Sequence, residues 1–193
     1  MTAERQQSGA LLAHLRAATR PGHDRLEGTL GLLDEQLDRE AYKKVLERFH
    51  GFWRGWEPRV ATLLQDESLL APRRRMHLLD ADLAVLGSSA RTVSALPTCP
   101  APLLFGAPEA LGSLYVLEGS TLGGRVIQRN VERCLGFSGQ SGCSYFAGYG
   151  ADTGMMWRLL LARLDEAPTT DAERIASGAV ATFERLADWL LWK

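Results

Sequence analysis

Cysteine is scarce in this chain of 193 residues, and the three present, Cys99, Cys134 and Cys143, include no CxxC pair. That excludes a disulfide framework and a structural zinc site of the usual spacing, and it suits a reducing cytoplasm. Histidine is scarce too. There are four, with no HExxH and no second ExxH beside Glu47-Arg-Phe-His50, which gives mononuclear zinc and di-iron bundle chemistry little support. No run of about 18 apolar residues exists, so no membrane-spanning helix is expected. His14 and Arg16 interrupt the apolar stretch that a signal peptide would need. Net charge is −1 with both signs scattered, so there is no basic stripe for nucleic acid. Arg73-Arg74-Arg75 reads as the solvated first turn of a helix. Strand-type alternation, internal repeats and low-complexity tracts are missing as well. What remains is an all-α single domain over residues 1–193, with 1–10 expected as a flexible N-terminus.

The helical segments follow from spacing and caps. Ser8 to about Leu33 carries an apolar face of Leu11, Leu12, Leu15, Ala18, Leu26 and Leu30, interrupted by Pro21-Gly22, which must start a new segment or kink the helix. Asp38 is a good N-cap, and Leu37 with Tyr42 is placed for a hydrophobic staple. The helix behind it holds Val45, Leu46, Phe49, Trp53 and Trp56, and Val60, Leu63 and Leu64 can continue past Pro58. Arg73–Leu86 is a third helix, stopped by Gly87, and 88–107 is the longest loop-like connection. Asp152 can cap a helix through Trp157 to Leu164. Thr170-x-x-Glu173 is a capping-box pattern opening the last helix, through Phe183 to Trp189.

The helix between these segments is unusual. It opens at Pro108 and closes at Gly136, yet its interior contains Gly112, Gly119, Gly123 and Gly124. Each costs roughly 1 kcal/mol against alanine in a helix interior. At about 100° per residue, 112, 119 and 123 fall close to one line. A line without side chains lets another helix, or a flat ligand, press on the backbone. Among the histidines, His23 stands out, because Glu27 at i+4 can accept from one imidazole nitrogen and leave the other for a metal. The same pair also reads as an ordinary surface pair. His14, His50 and His77 read as surface or helix-flank residues. A single imidazole ligand opposite a helix face without side chains suits a haem sandwich.

At this point the sequence resembles a known family. Ala18-Thr-Arg-Pro-Gly-His-Asp-Arg-Leu-Glu27 is similar to the proximal motif of haem oxygenases, and Leu114-Tyr-Val-Leu-Glu-Gly-Ser-Thr-Leu-Gly-Gly124 to the bacterial form of their distal-helix motif. Phe146-Ala-Gly-Tyr-Gly150 and Thr153-Gly-Met-Met-Trp-Arg158 resemble the stretch that follows in bacterial members, including those associated with bacteriophytochromes. The likeness runs from about residue 11 to 190.

The resemblance implies a haem sandwiched between a proximal helix and a kinked, glycine-rich distal helix, cleaved with dioxygen to biliverdin, carbon monoxide and ferrous iron. Haem would be cofactor and substrate together, with electrons from an external ferredoxin or reductase and a bacteriophytochrome as a candidate acceptor of biliverdin. By the same resemblance, His23 ligates the iron and Glu27 orients it. Gly119, Gly123 and Gly124 face the open coordination position, and Arg16, Tyr115 and Arg158 meet the propionates. Trp157 and Phe183 wall the pocket. Ser120 stands where many members carry an aspartate, so water would be held by backbone carbonyls with Ser120 or Thr121. A haem carrier or sensor on the same fold, and a helical interaction module without haem, are the alternatives.

Overall fold

The structure is a computed structural model that describes residues 2–26 and 30–191, with side chains from Gly9 onward. α1, Thr2–Leu26, runs through Pro21 without a break in helical assignment. It ends earlier than its apolar spacing predicts, because residues 30–37 form a turn with Gly31 at φ +64°. The apolar residues beyond α1 are still used: Leu32 and Leu37 are buried there.

α2, Arg39–Leu64, starts as expected, with the Asp38 carboxylate accepting from Ala41 N at 2.8 Å and Tyr42 fully buried beside Leu37. It also carries on through Pro58, to end at Gln65 in the left-handed region. A short helix α3, Glu67–Leu70, and a 3₁₀ turn over Ala71–Arg73 precede α4, Met76–Val85. The arginine run is therefore not a solvated first turn. Arg73 and Arg75 are only 5 % and 3 % exposed.

The connection after α4 carries a short helix, α5, Ala90–Ser94, capped by Ser89. Arg54 of α2 donates to the carbonyls of Val93, Ser94 and Leu96 at its C-terminal end. His50, one turn earlier, is buried as well, which corrects its reading as a surface residue. Its Nε2 lies 3.0 Å from Asp80 Oδ1 and its Nδ1 3.3 Å from Arg54 Nη2. Burial chiefly lowers its pKa, and a neutral ring that donates to Asp80 and accepts from Arg54 satisfies both contacts.

α6, Ala107–Leu135, is the long glycine-containing helix, closed by Gly136 at φ +69°. After α7, Ser144–Ala147, come α8, Thr153–Asp165, and α9, Ala172–Leu191. The predicted capping box does not open α9. A 3₁₀ turn, Thr169–Asp171, leads into it, and Glu173 lies near His14 instead. Among the described residues only isolated bridges at 138–142 resemble strand pairing, and no helix is long and apolar enough to cross a membrane.

α6 packs most extensively against α9, and α9 in turn against α1. The α6–α9 crossing is close because glycines meet backbone on both sides: a Cβ on Gly112 would strike the Ile175 carbonyl, and one on Gly178 the backbone of Glu109. A buried polar chain fixes this crossing to α2. Trp56 Nε1 donates to Ser113 Oγ at 2.7 Å, which lies 2.6 Å from Thr182 Oγ1, and Thr182 reaches Gly178 O at 2.7 Å. Each member is satisfied, so the chain specifies register without leaving an unpaired dipole.

Candidate functional site

The glycine line on α6 meets three different surroundings along its length. At Gly112 it is covered by α9. At Gly119 a Cβ would stand 3.6 Å from the Trp157 ring of α8, an ordinary contact. At Gly123 a Cβ would meet nothing within 4 Å. Leu122 and Val126 flank this open end and are 46 % and 54 % exposed. Gly119, Leu122, Gly123 and Val126 lie within about 100° of one another around the helix. The exposed face is therefore apolar and open at its centre. A close helix crossing and an open face are both present, at different points of one line. Gly124 is elsewhere: it is buried, and a Cβ there would strike the Phe146 carbonyl beside α7.

Tyr115, one turn before Gly119, ties this face to α1. Its ring lies 5.3 Å from that of Trp157, and the Arg16 side chain comes near enough to act electrostatically on its hydroxyl. Burial raises the Tyr115 pKa and the Arg16 cation opposes that rise. Two turns along α1 from Arg16, His23 is largely exposed, its ring edge-on to Phe183 of α9 with centroids 6.3 Å apart. Its Nδ1 lies 4.0 Å from Asp24 Oδ1. Gly22 fits directly over Phe183, where a Cβ would come within 2.6 Å of the Phe183 Cβ. Beside it a groove of about 350 Å³ opens between α1 and α9, lined by Ala18, Pro21, Gly22, Val180, Phe183 and Ala187 among others.

Arg16, Tyr115, Gly119 and Trp157 are thus brought together, and His23 with Phe183. Glu27 lies outside the described residues. Arg158 is exposed on α8, and the structure joins it to neither Arg16 nor Tyr115. The hydroxyls of Ser120 and Thr121 donate to Leu117 O and Glu118 O, each at 2.7 Å. Their protons are engaged by the helix, and their oxygens remain available as acceptors.

One cluster behind the open face escaped the sequence reading. Glu118, 3 % exposed, accepts from the Tyr149 hydroxyl at 2.8 Å and pairs with Arg73, whose Nε lies 3.6 Å from its Oε1. Arg73 also donates to Leu69 O and Met156 O, and the Arg75 guanidinium stacks 4.1 Å above the Tyr149 ring. Burial raises the Glu118 pKa, opposed by Arg73, Tyr149 and Arg75. Glu118 Oε1, Arg73 Nε and Arg75 Nη2 are buried with no hydrogen-bond partner. The sequence offered only a partial signal: Glu118 closes the largely apolar stretch 110–117, but its burial, and with it the need for a buried cation, comes from the packing. Among the described residues no group of three metal-ligating side chains gathers, and the three cysteines are free.

Comparison with known proteins fits this geometry. A family model described as Heme oxygenase matches residues 9–191. A protein of Xanthomonas campestris pv. campestris named heme oxygenase is 39 % identical over 101 residues, which span 50 % of this chain and 56 % of that protein, a little over half its length. Among solved structures, heme oxygenase from Neisseria meningitidis, studied with NO and CO bound, superposes with a TM-score of 0.76 at 20 % identity, covering 93 % of this chain and 89 % of that one. Heme oxygenase-1 from the cyanobacterium Synechocystis, solved in complex with heme, gives 0.70 at 14 % identity, covering 94 % and 90 %. At these identities the structures establish a shared fold.

Proposed function

Since the chain belongs to the haem oxygenase family, with its match running over residues 9–191, we propose that it binds haem between α1 and the open face of α6 and cleaves it to biliverdin, carbon monoxide and ferrous iron. The observation that carries this reading is the glycine line left uncovered at Gly123 on a helix face that α1 reaches through Arg16 and Tyr115. From that shared contact, His23 lies about 10 Å along α1 and Gly123 about 12 Å along α6. Each is therefore about two helical turns from the Arg16–Tyr115 contact. When bound, haem would supply the redox-active iron and the ring that is oxidised, with dioxygen as co-substrate.

Each residue then has a part. His23 would hold the haem iron, with Glu27 as its orienting acceptor. Arg16 and Tyr115 converge as a cation and a hydroxyl donor, the pairing a propionate needs, and Arg158 is a further cation for that edge. Gly119 and Gly123 keep side chains away from the reacting face, while Trp157 and Phe183 wall it. Ser120 and Thr121 offer oxygen lone pairs to a water at the helix surface. Gly124 serves the packing of α6 on α7, which in turn holds the open face in place. Electrons come from an external ferredoxin or reductase. The likeness of 146–158 to the bacteriophytochrome-associated members supports such a photoreceptor as the biliverdin acceptor.

The test is the absorption spectrum of the protein with haem, followed under reductant and oxygen with catalase present. A Soret band that gives way to a broad biliverdin band supports the enzyme. A Soret band that persists under turnover replaces it with a carrier or sensor. His23→Ala should alter the haem spectrum and abolish most turnover with helical content intact; an unchanged spectrum would remove His23 as the ligand.

A further inference from the structure

Beyond the open face, α6 grips the turn that lies between α1 and α2. Asn130 Nδ2 donates to Leu32 O at 3.0 Å and to Asp34 O at 2.9 Å, and its Oδ1 accepts from Arg133 Nη2 at 2.7 Å. Both amide hydrogens are used, and the Arg133 donation fixes which end of the amide meets the carbonyls. One turn on, Cys134 Sγ lies 3.5 Å from Glu35 O and 3.8 Å from Asp34 O. The gripped segment is itself folded back: Asp34 N donates to Gly31 O, and Gln36 N to the Asp34 carboxylate. Asn130 is two turns beyond Gly123 on α6, and the turn it holds lies between the helix of His23 and α2.

We propose that Asn130 is a positioning residue for haem: by latching residues 32–34 to α6 it sets the separation of α1 from α6, and so how firmly a flat ligand is held between them. The latch rests on the haem reading above. Linkage makes it reciprocal. If the latched state holds haem better than the unlatched one, haem must favour the latch to the same degree.

Asn130→Asp keeps the shape, removes both donors and sets a carboxylate oxygen against two carbonyls. The reporters are haem itself and the alkylation rate of Cys134, assigned by peptide mapping. Cys99 and Cys143 are buried, with thiol pKa values pushed up to about 11 and about 12, so they react slowly. In the wild type, haem should slow Cys134 alkylation. In the variant, alkylation of the haem-free protein should run several-fold faster and the protection by haem should shrink. Haem should also transfer to apomyoglobin about tenfold faster, the scale set by two lost hydrogen bonds. Arg133→Ala keeps the donors but frees the amide, and should move both rates the same way by less; it carries the test if circular dichroism shows Asn130→Asp unfolded. A folded variant that releases haem at the wild-type rate overturns the proposal, whatever happens at Cys134. Failure of the haem reading is separate and visible first: the wild type then develops no Soret band, and the latch falls with it.

Discussion

Gly123 and Gly124 are adjacent in sequence and opposite in consequence. A side chain at 123 projects into open space, whereas one at 124 meets the Phe146 carbonyl. Gly123→Leu should therefore fold and bind haem while losing at least about tenfold in turnover, because the new side chain occupies the reacting face. Gly124→Ala should instead cost roughly 1–3 kcal/mol of stability through overpacking. Urea melts and single-turnover spectra separate the two, and equal turnover in Gly123→Leu and wild type would show that this face does not meet the iron. At the same scale, His50 ties pH to stability. Its folded pKa is lowered by burial from the usual 6.5, so its contribution is complete above pH 6.5 and is lost as pH falls through the folded value. The urea midpoint of the wild type should drop on acidification below 6.5, and His50→Gln should flatten that part of the curve. Parallel curves would assign the titration to other groups.

Among the elements, α6 depends on what holds it from behind. Glu118 brings a charge into the packed side of the helix, and Arg73, Arg75 and Tyr149 answer it from the 3₁₀ turn, the start of α4 and the loop after α7. Removing one partner of a buried ion pair leaves the other uncompensated, at about 3–5 kcal/mol. Glu118→Ala should lose stability on that scale, and Tyr149→Phe only about 1 kcal/mol, the net value of one hydrogen bond. Denaturant titration checks both; a loss within about 1 kcal/mol for Glu118→Ala would mean that the arginines find other partners. The α6–α9 crossing is the second support, and there Gly112 and Gly178 replace side chains by backbone contact. One helix thus carries its tight end and its open end on a single line of residues.

For the whole molecule, the open face is an apolar surface that a bound ligand would cover. A ligand that binds only the folded state raises stability by mass action, about 2.7 kcal/mol at a hundred times its dissociation constant. Haem should therefore raise the urea midpoint of the wild type in a concentration-dependent way, and His23→Ala should blunt the rise. A midpoint indifferent to haem would show that the cleft is not a haem site. The bundle also brings together groups far apart in sequence: Arg16 meets Tyr115, His23 meets Phe183, and Asn130 reaches Leu32.

Helical periodicity and caps are local properties, so the sequence by itself determined the all-α class, the Asp38 start of α2 and the Gly136 end of α6, while the passage of α2 through Pro58 was left open. It also marked His23 and the glycine line, because a bare helix stripe is visible wherever the period of the helix is known. Tertiary structure decided which glycine does what, since a missing side chain does not say whether backbone, ring or open space lies opposite. It decided the fate of charge as well. Arg73, Arg75 and His50 carry the residue types of a surface, and only partners contributed by other elements, Glu118 and Asp80 among them, make their burial tolerable. The end of α1 belongs with these. Apolar spacing runs on past Leu26, but Gly31 turns the chain and Asn130, about a hundred residues away, holds the turn in place.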